Sequence, residues 1–134
     1  MHKVRQGLLI LLAALFVMAC SGNVSPEKVA DQYMHAILND DIDSLMKTLH
    51  LGEDVPEKQT EMVHGKLAMV VEESSARAKA LGGVKKITYS ETEYNQDKSR
   101  AKLVATVIYK NADAPNTIER INLIDTEQGW KVSL

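Results

Sequence analysis

The sequence predicts an α+β domain in which three N-terminal helices pack on a curved, four-stranded antiparallel sheet. Apolar residues recur at helical spacing from residue 25 to residue 81, and from Val84 onward they recur at every second position. The links between the alternating segments are short and rich in turn-forming residues. Consecutive strands with short links are antiparallel, because a parallel crossover needs a dozen or more residues. We expect this single domain to span residues 25–134.

Three helices are predicted before the strands. Ser25 followed by Pro26 is typical of an N-cap and a first helical position. Asp41 is expected to cap a second, shorter helix, and Gly82-Gly83 is a stop signal after a third, which begins at Pro56. The apolar stripes expected to face the core are Val29, Ala30, Tyr33, Met34, Ile37 and Leu38; then Ile42, Leu45, Met46 and Leu49; then Met62, Val63, Leu67, Val70, Val71 and Leu81.

Four strands are predicted from residue 85 to the end of the chain, at Lys85–Tyr94, Arg100–Lys110, Thr117–Asp125 and Trp130–Leu134. The second strand sets the register, because its alternate residues form one nearly apolar face, whereas Lys102, Thr106 and Lys110 mark the other face as solvated. The inward positions are Ala101, Leu103, Ala105, Val107 and Tyr109, matched by Ile87, Tyr89, Ile121, Leu123, Trp130 and Val132 on the other strands.

Composition limits the possible functions. The chain has 134 residues, of which 45% are hydrophobic and 25% charged, which suits one globular domain. Its single cysteine cannot close an intramolecular disulfide. A net charge of −2 gives no positive footprint for nucleic acid. The sequence contains no phosphate-binding loop, dinucleotide fingerprint or nucleophile elbow, so no cofactor is expected.

The first twenty residues have the pattern of a secretory signal. Basic residues at positions 3 and 5 precede the uncharged run Leu8–Ala19, which as a helix would span only ~18 Å of a hydrocarbon core ~30 Å thick. The segment Val17-Met18-Ala19-Cys20-Ser21 resembles the bacterial lipobox. That resemblance implies that residues 1–19 are removed and that Cys20 is acylated, leaving residues 20–24 as a lipidated tether. The alternative is an ordinary secretory signal in which Cys20 has no such role.

Lipidation of Cys20 would place the protein on a membrane, since two or three acyl chains hold a protein essentially permanently. Ser21 follows the cysteine, where an Asp resembles the inner-membrane retention signal of Gram-negative lipoproteins. By this resemblance we expect the periplasmic face of the outer membrane. In a Gram-positive source the same residues imply the outer face of the plasma membrane.

The domain also resembles a group of small bacterial lipoproteins, in blocks at both ends. The blocks are Ser25–Ala30 with Tyr33 and Ile37, the link Asp40–Asp43, and the distal segments Glu119–Ile124 and Gly129–Val132. These domain-of-unknown-function proteins, sometimes labelled lumazine-binding-like, belong to the nuclear transport factor two-like, or cystatin-like, cone superfamily. The resemblance implies that a curved sheet and the helices enclose a pocket. No residue motif in this sequence matches the lumazine label.

If the cone encloses a ligand, its lining comes from the inward register. The possible lining residues are Tyr33, Ile87, Tyr89, Leu103, Val107, Tyr109, Leu123 and Trp130. This lining is apolar, with tyrosine hydroxyls and one indole N–H as its polar groups. Ligand pockets have this composition, and so do filled cores.

Candidate catalytic groups are few. In the predicted register only Glu91 and Glu93 face inward among the carboxylates, near the end of a strand. We expect Thr117, Glu119 and Arg120 on a solvated face with a cross-strand ion pair. A slip of the third strand by one residue would instead turn Arg120 and Asn122 inward. No catalytic residue is assigned.

No metal site is predicted. His35, His50 and His64 have no i,i+3 or i,i+4 partner among themselves, and no cysteine of the mature chain accompanies them at metal-ligand spacing. The acidic run at residues 40, 41 and 43 lacks the glycine and the distal glutamate of a calcium loop, so helix capping accounts for it.

These observations predict a lipid-anchored, non-enzymatic protein of the cell envelope whose domain binds a small apolar ligand or a partner protein. One alternative is a structural or inhibitory lipoprotein that docks a partner by its outer face. Another is an enzyme with its site in the cone, which would need two titratable groups within reach of each other inside the pocket.

Overall fold

The structure, a computed structural model, describes residues 24–134. The predicted signal peptide and Cys20 lie outside the described residues, so cleavage and lipidation stay predictions. Within residues 24–134 no helix is long and apolar enough to cross a membrane.

Three helices precede the main strands, as predicted: α1 (Pro26–Leu38), α2 (Ile42–Thr48) and α3 (Glu57–Ala80). The Ser25 hydroxyl accepts a hydrogen bond from the Lys28 backbone N–H at 3.2 Å, which caps α1. Asp41 caps α2 in the same way, with its carboxylate accepting from the Ser44 N–H at 3.2 Å. The polar residues between the first two helices therefore act as caps and turns.

The sheet has six strands and is mixed, which corrects the prediction of four antiparallel strands. They are β1 (Leu49–His50), β2 (Val84–Tyr89), β3 (Glu93–Tyr94), β4 (Arg100–Tyr109), β5 (Thr117–Thr126) and β6 (Gly129–Ser133). Their order is β1-β6-β5-β4-β2, and β3 pairs with β4 beyond the end of β2. The extra edge strand β1 begins at Leu49, which was predicted as the last inward residue of the second helix, and it runs parallel to β6. The other pairs are antiparallel, as predicted.

The predicted first strand is divided in two at Ser90. The Ser90 hydroxyl accepts a hydrogen bond from the Val104 N–H at 2.8 Å, while the Ser90 N–H donates to the Val104 carbonyl at 2.9 Å. A side chain thus replaces a backbone carbonyl in the ladder, as serine commonly does where regular structure ends. This break shifts the residues after Ser90 out of the predicted register.

One face of the sheet is buried beneath the helices, in the predicted register. Its alternate positions on β4, from Ala101 to Tyr109, are at most 4% exposed, and Ile121 and Leu123 continue this face on β5. Arg120 and Asn122 point outward and are exposed, so the third predicted strand is not slipped. α1 packs against both β4 and β6. We call this buried face the concave face.

Helix α3 buries only part of the predicted stripe: Val71 is buried, and Leu67 and Leu81 pack against the core while partly buried. Met62 and Val70 are exposed, whereas Val71, Ser75 and Ala78 are buried. The small side chains of Ser75 and Ala78 let α3 pack closely against its neighbours, so its contact runs along its C-terminal half.

Trp130 lies only partly buried, at the margin of the core, and not inside it as predicted. Its ring meets Tyr94 edge to face, with 6.0 Å between the ring centroids. Tyr94 pairs with Ala101 and Trp130 with Asp125, which places both rings at the same end of the sheet.

Candidate functional site

A cleft of about 490 Å³ lies where α1, the C-terminal half of α3 and strand β2 meet. We call it the β2 cleft. Its apolar side chains are Leu38, Ala78, Val84 and Ile87. Its polar and charged lining residues are Asp31, His35, Asn39, Ser75, Lys79, Lys85 and Lys86. The cleft therefore combines an apolar surface with polar groups of both charges.

The wall of the cleft between α3 and β2 depends on two glycines. Gly82 and Gly83 have φ of +84° and +95°, which side-chain-bearing residues rarely adopt. This turn lets the Gly83 N–H donate to the Ala78 carbonyl at 2.8 Å, while the Gly83 carbonyl accepts from the Lys110 N–H at 2.9 Å. The turn thus holds the end of α3 and the start of β2 side by side.

Asp31 joins α1 to β2 at one end of the cleft. The Tyr89 hydroxyl donates to Asp31 Oδ1 at 2.6 Å, and His35 Nε2 lies 3.3 Å from the same oxygen. Burial raises the pKa of Tyr89, and the hydrogen bond to Asp31 and the charge of Asp31 raise it further. Tyr89 is therefore a neutral hydrogen-bond donor that fixes the carboxylate at the edge of the cleft.

Three lysines give the opposite side of the cleft a positive charge. Lys79 is on α3, and Lys85 and Lys86 are at the irregular start of β2, where the pairing with β4 shifts register. All three are exposed. In a chain of net charge −2, this grouping gives the rim a sign opposite to that of the whole protein.

Glu119 lies on the concave face, which corrects the prediction that it is solvated. Its position on β5 alternates with Ile121 and Leu123, and it pairs across the sheet with Ala105. Burial raises the pKa of the Glu119 carboxyl. Burial also raises the pKa of Tyr33 on α1 to about 12, and the nearby charge of Glu119 contributes. Strict alternation along β5 from Leu123 through Ile121 predicts that Glu119 faces the core.

Thr117, also predicted as solvated, lies on the same register as Glu119. Its hydroxyl is 2.7 Å from the hydroxyl of Tyr109. Of the predicted solvated residues on this strand, only Arg120 is exposed. The end of the concave face at Thr117 and Glu119 is therefore polar, while the end at Leu123 is apolar.

The residues predicted to line a pocket in the cone all lie in or beside the core. Five of these side chains are buried, and the most exposed of the five, that of Tyr33, is 8% exposed. The other four are Leu103, Val107, Tyr109 and Leu123. Ile87, Tyr89 and Trp130 are partly buried against them. These side chains pack together, and Ile87 also lines the β2 cleft. Their role in holding a ligand stays a prediction.

The carboxylates predicted to face inward do not. Glu91 and Glu93 are exposed, and Glu93 forms an ion pair with Lys102 at 3.5 Å on the outer face. The cause is the break at Ser90, which changes the side toward which the following residues point.

The three histidines are dispersed. His35 lies at the β2 cleft, His50 on strand β1 and His64 on the exposed side of α3. Within the part of the chain that the structure describes, no three His, Cys, Asp or Glu side chains are grouped so that they could hold a metal ion.

The fold and part of the sequence match a solved structure from Campylobacter jejuni, a protein with the provisional name NTF2-like transpeptidase. The two chains are 30% identical with a TM-score of 0.75, and the match covers 83% of this chain and 99% of the other. The present chain belongs to the NTF2-like (nuclear transport factor two-like) family.

Other comparisons with known proteins add little to this NTF2-like assignment. The intermembrane space region of the chloroplast protein ARC6 matches at 14% identity and a TM-score of 0.41, over 81% of this chain and 89% of the other. No protein-family model matches the chain, and no curated protein matches it.

Glu119→Gln is expected to raise the free energy of unfolding at pH 7. The pKa of Glu119 is raised in the folded protein, so its contribution to stability is present while the carboxyl is protonated and is lost as pH rises through the folded pKa. The gain from the amide should therefore shrink as pH falls through the folded pKa and be lost below about pH 4, where the unfolded chain is protonated as well. Urea unfolding at about pH 7 and at about pH 3 measures this difference.

Glu127→Gln, at an exposed turn position, is the control and should change stability little at either pH. A Glu119→Gln variant that is less stable than the unmodified protein at pH 7 would mean that the carboxylate makes a favourable interaction in the folded state.

Proposed function

We propose that this NTF2-like protein is a lipid-anchored protein of the bacterial cell envelope and that its domain is a non-enzymatic binding module. The anchor is supported by the basic start of the chain, the uncharged run Leu8–Ala19 and the lipobox-like segment around Cys20. The ligand site proposed within the domain is the β2 cleft.

The observation that carries this proposal is the composition of the cleft. Its volume lies in the range of small-molecule sites, roughly 300–1,000 Å³, and its apolar side chains stand beside fixed polar groups. The lysine rim favours a negatively charged group on the ligand. A small ligand with an apolar body and a carboxylate or phosphate suits these surroundings. The concave face, by contrast, is occupied by the domain's own side chains.

The chemistry of the cleft favours binding over catalysis. General acid–base catalysis needs a group whose pKa lies near the working pH. The raised pKa of Tyr89 moves that phenol away from neutrality, and Asp31 already accepts its hydrogen bond. The side chain of His35 is 59% exposed, so water competes for its ring nitrogens.

Peptidyl transfer is a second candidate function, because the Campylobacter jejuni protein carries a transpeptidase name. Acyl transfer through a serine needs a hydroxyl next to a base. Ser75 and Lys79, one helical turn apart, line the β2 cleft together with His35. Ser75 is only 4% exposed, which hinders attack on a peptide. Acylation of Ser75 by p-nitrophenyl acetate, detected as an added mass that Ser75→Ala abolishes, would favour this function.

Cys20→Ala is expected to leave the protein unprocessed or to release it from the membrane fraction, because the alanine offers no sulfur to acylate. Fractionation of cells followed by mass spectrometry of the N-terminus measures this. Recovery of a cleaved, unlipidated form that remains with the membrane would contradict the proposed anchor.

Binding to the β2 cleft can be tested with dodecanoate, which has an apolar chain and one carboxylate. We expect the protein comprising residues 20–134 to bind dodecanoate. The Lys79→Glu substitution should raise the Kd about tenfold, which corresponds to about 1.4 kcal/mol, because the new carboxylate repels that of the ligand. Isothermal titration calorimetry below the micelle-forming concentration measures the Kd.

Lys66→Glu is the matched control, since Lys66 is an exposed lysine on the same helix and does not line the cleft. It should leave the affinity unchanged. Equal weakening by both variants, or no binding by the unmodified protein, would contradict the cleft as the ligand site.

A further inference from the structure

An aromatic and apolar surface lies at the end of the domain where the described chain begins. Val24 is 49% exposed, and it lines a shallow cleft with Gly129 and Trp130. Tyr94, which is 45% exposed, stacks edge to face against Trp130. We call Val24, Tyr94 and Trp130 the anchor-end surface.

The length of chain before this surface limits what can cover it. Only residues 21–24 separate Cys20 from the N-cap Ser25. Even fully extended, such a link spans at most about 18 Å. If Cys20 is lipidated, as the proposed function holds, the start of α1 stays within that distance of the lipid surface. A bilayer is then the surface that the anchor-end residues meet most often.

The side chains fit the headgroup region of a bilayer. Tyrosine and tryptophan concentrate at membrane–water interfaces, because each has an apolar ring and one polar atom. Lys47 and Lys131 line the same shallow cleft, and the Lys131 ammonium donates to the Lys47 carbonyl at 2.8 Å. Lysine stems can lie along an apolar surface while their charges stay in water.

Nearby charges set how strongly the surface should depend on lipid charge. Three acidic residues lie at the same end of the domain as the two lysines: Glu27 in the first turn of α1, Asp125 opposite Trp130, and Glu127 in the turn before Gly129. The contact should therefore rest on the aromatic rings and depend weakly on anionic lipid.

We propose that the anchor-end surface rests on the membrane that holds Cys20 and so orients the domain. Helix α1 is 13 residues long and spans about 20 Å; Val24 precedes its N-terminus, whereas the β2 cleft runs from Asp31, in the middle of the helix, to Asn39, just after its C-terminus. A domain resting on its anchor end therefore presents the β2 cleft away from the membrane.

The chain offers a direct test, because it contains one cysteine and one tryptophan. Residues 20–134 are coupled through the Cys20 thiol to a maleimide lipid in vesicles of phosphatidylethanolamine and phosphatidylglycerol. Trp130 emission should shift to shorter wavelength than in the same protein capped with N-ethylmaleimide, and brominated lipids should quench it. Unchanged emission, with no quenching by brominated lipid, would overturn the proposal.

Two variants show whether the named surface is responsible. For each variant the lipid-coupled protein is compared with the same variant capped with N-ethylmaleimide. The Tyr94→Asp substitution should abolish the quenching, because it places a carboxylate in the membrane contact. Ile118→Asp also changes an exposed apolar residue to an acid, but Ile118 pairs with Thr106, five positions along β4 from the partner of Tyr94. In the Ile118→Asp variant, brominated lipid should quench the Trp130 emission as strongly as in the unmodified protein. Quenching that survives Tyr94→Asp would also overturn the proposal.

Chemical coupling separates this proposal from the proposed anchor. The maleimide lipid replaces cellular lipidation, so the quenching result does not depend on processing in cells. Fractionation of the Cys20→Ala variant tests the anchor alone. A protein that is lipidated in cells but shows no quenching on vesicles would retain the proposed function and lose this orientation.

Discussion

The burial of the concave face beneath α1 is the interaction on which the other features of the domain depend. Ala30 on α1 and Ala105 on β4 are both 0% exposed, and their small side chains permit a close approach of helix and sheet. Leu103 and Leu123 complete this packing from β4 and β5. Large-to-small changes at such positions typically cost 2–5 kcal/mol, a large fraction of the stability of a small domain.

Because the interior is closely packed, the candidate ligand site lies at the margin of the sheet. The β2 cleft forms where α1 and α3 diverge from strand β2, and the hydrogen bond from Tyr89 to Asp31 closes one end of it. Ile87, which packs against the core, also contributes to the wall of the cleft. The cleft is thus an extension of the core to the surface, with lysines around it. The cleft lies along the C-terminal half of α1, so a domain tethered as we propose would hold the site clear of the membrane.

Much of this fold could be predicted from the sequence, because its signals are local. The caps at Ser25 and Asp41 are short motifs, and the alternation from Leu103 to Tyr109 fixes the face of β4. The buried stripe of α3 could be predicted only in part. Met62 and Val70 have apolar side chains and yet face solvent, while Ser75 has a small polar side chain and is buried.

The candidate site was less accessible to sequence reasoning. Asp31 and Tyr89 are 58 positions apart, and the packing of α1 on the sheet brings them together. Glu91 and Glu93 do not point toward the concave face, because the hydrogen bond between Ser90 and Val104 interrupts the strand before them. Glu119 was predictable from the register of its own strand, but its charge favoured a solvated interpretation.

The central claim is that the interior of this NTF2-like domain is filled and that ligands bind at the β2 cleft. Titration of isotope-labelled residues 20–134 with dodecanoate, followed by backbone amide NMR, tests it most directly. We expect chemical-shift changes concentrated at Lys79, Gly83 and Ile87, with the amides of Leu103 and Leu123 unmoved. Shifts concentrated at Leu103 and Leu123, with Lys79 and Gly83 unmoved, would show that the ligand opens the concave interior and would contradict the claim.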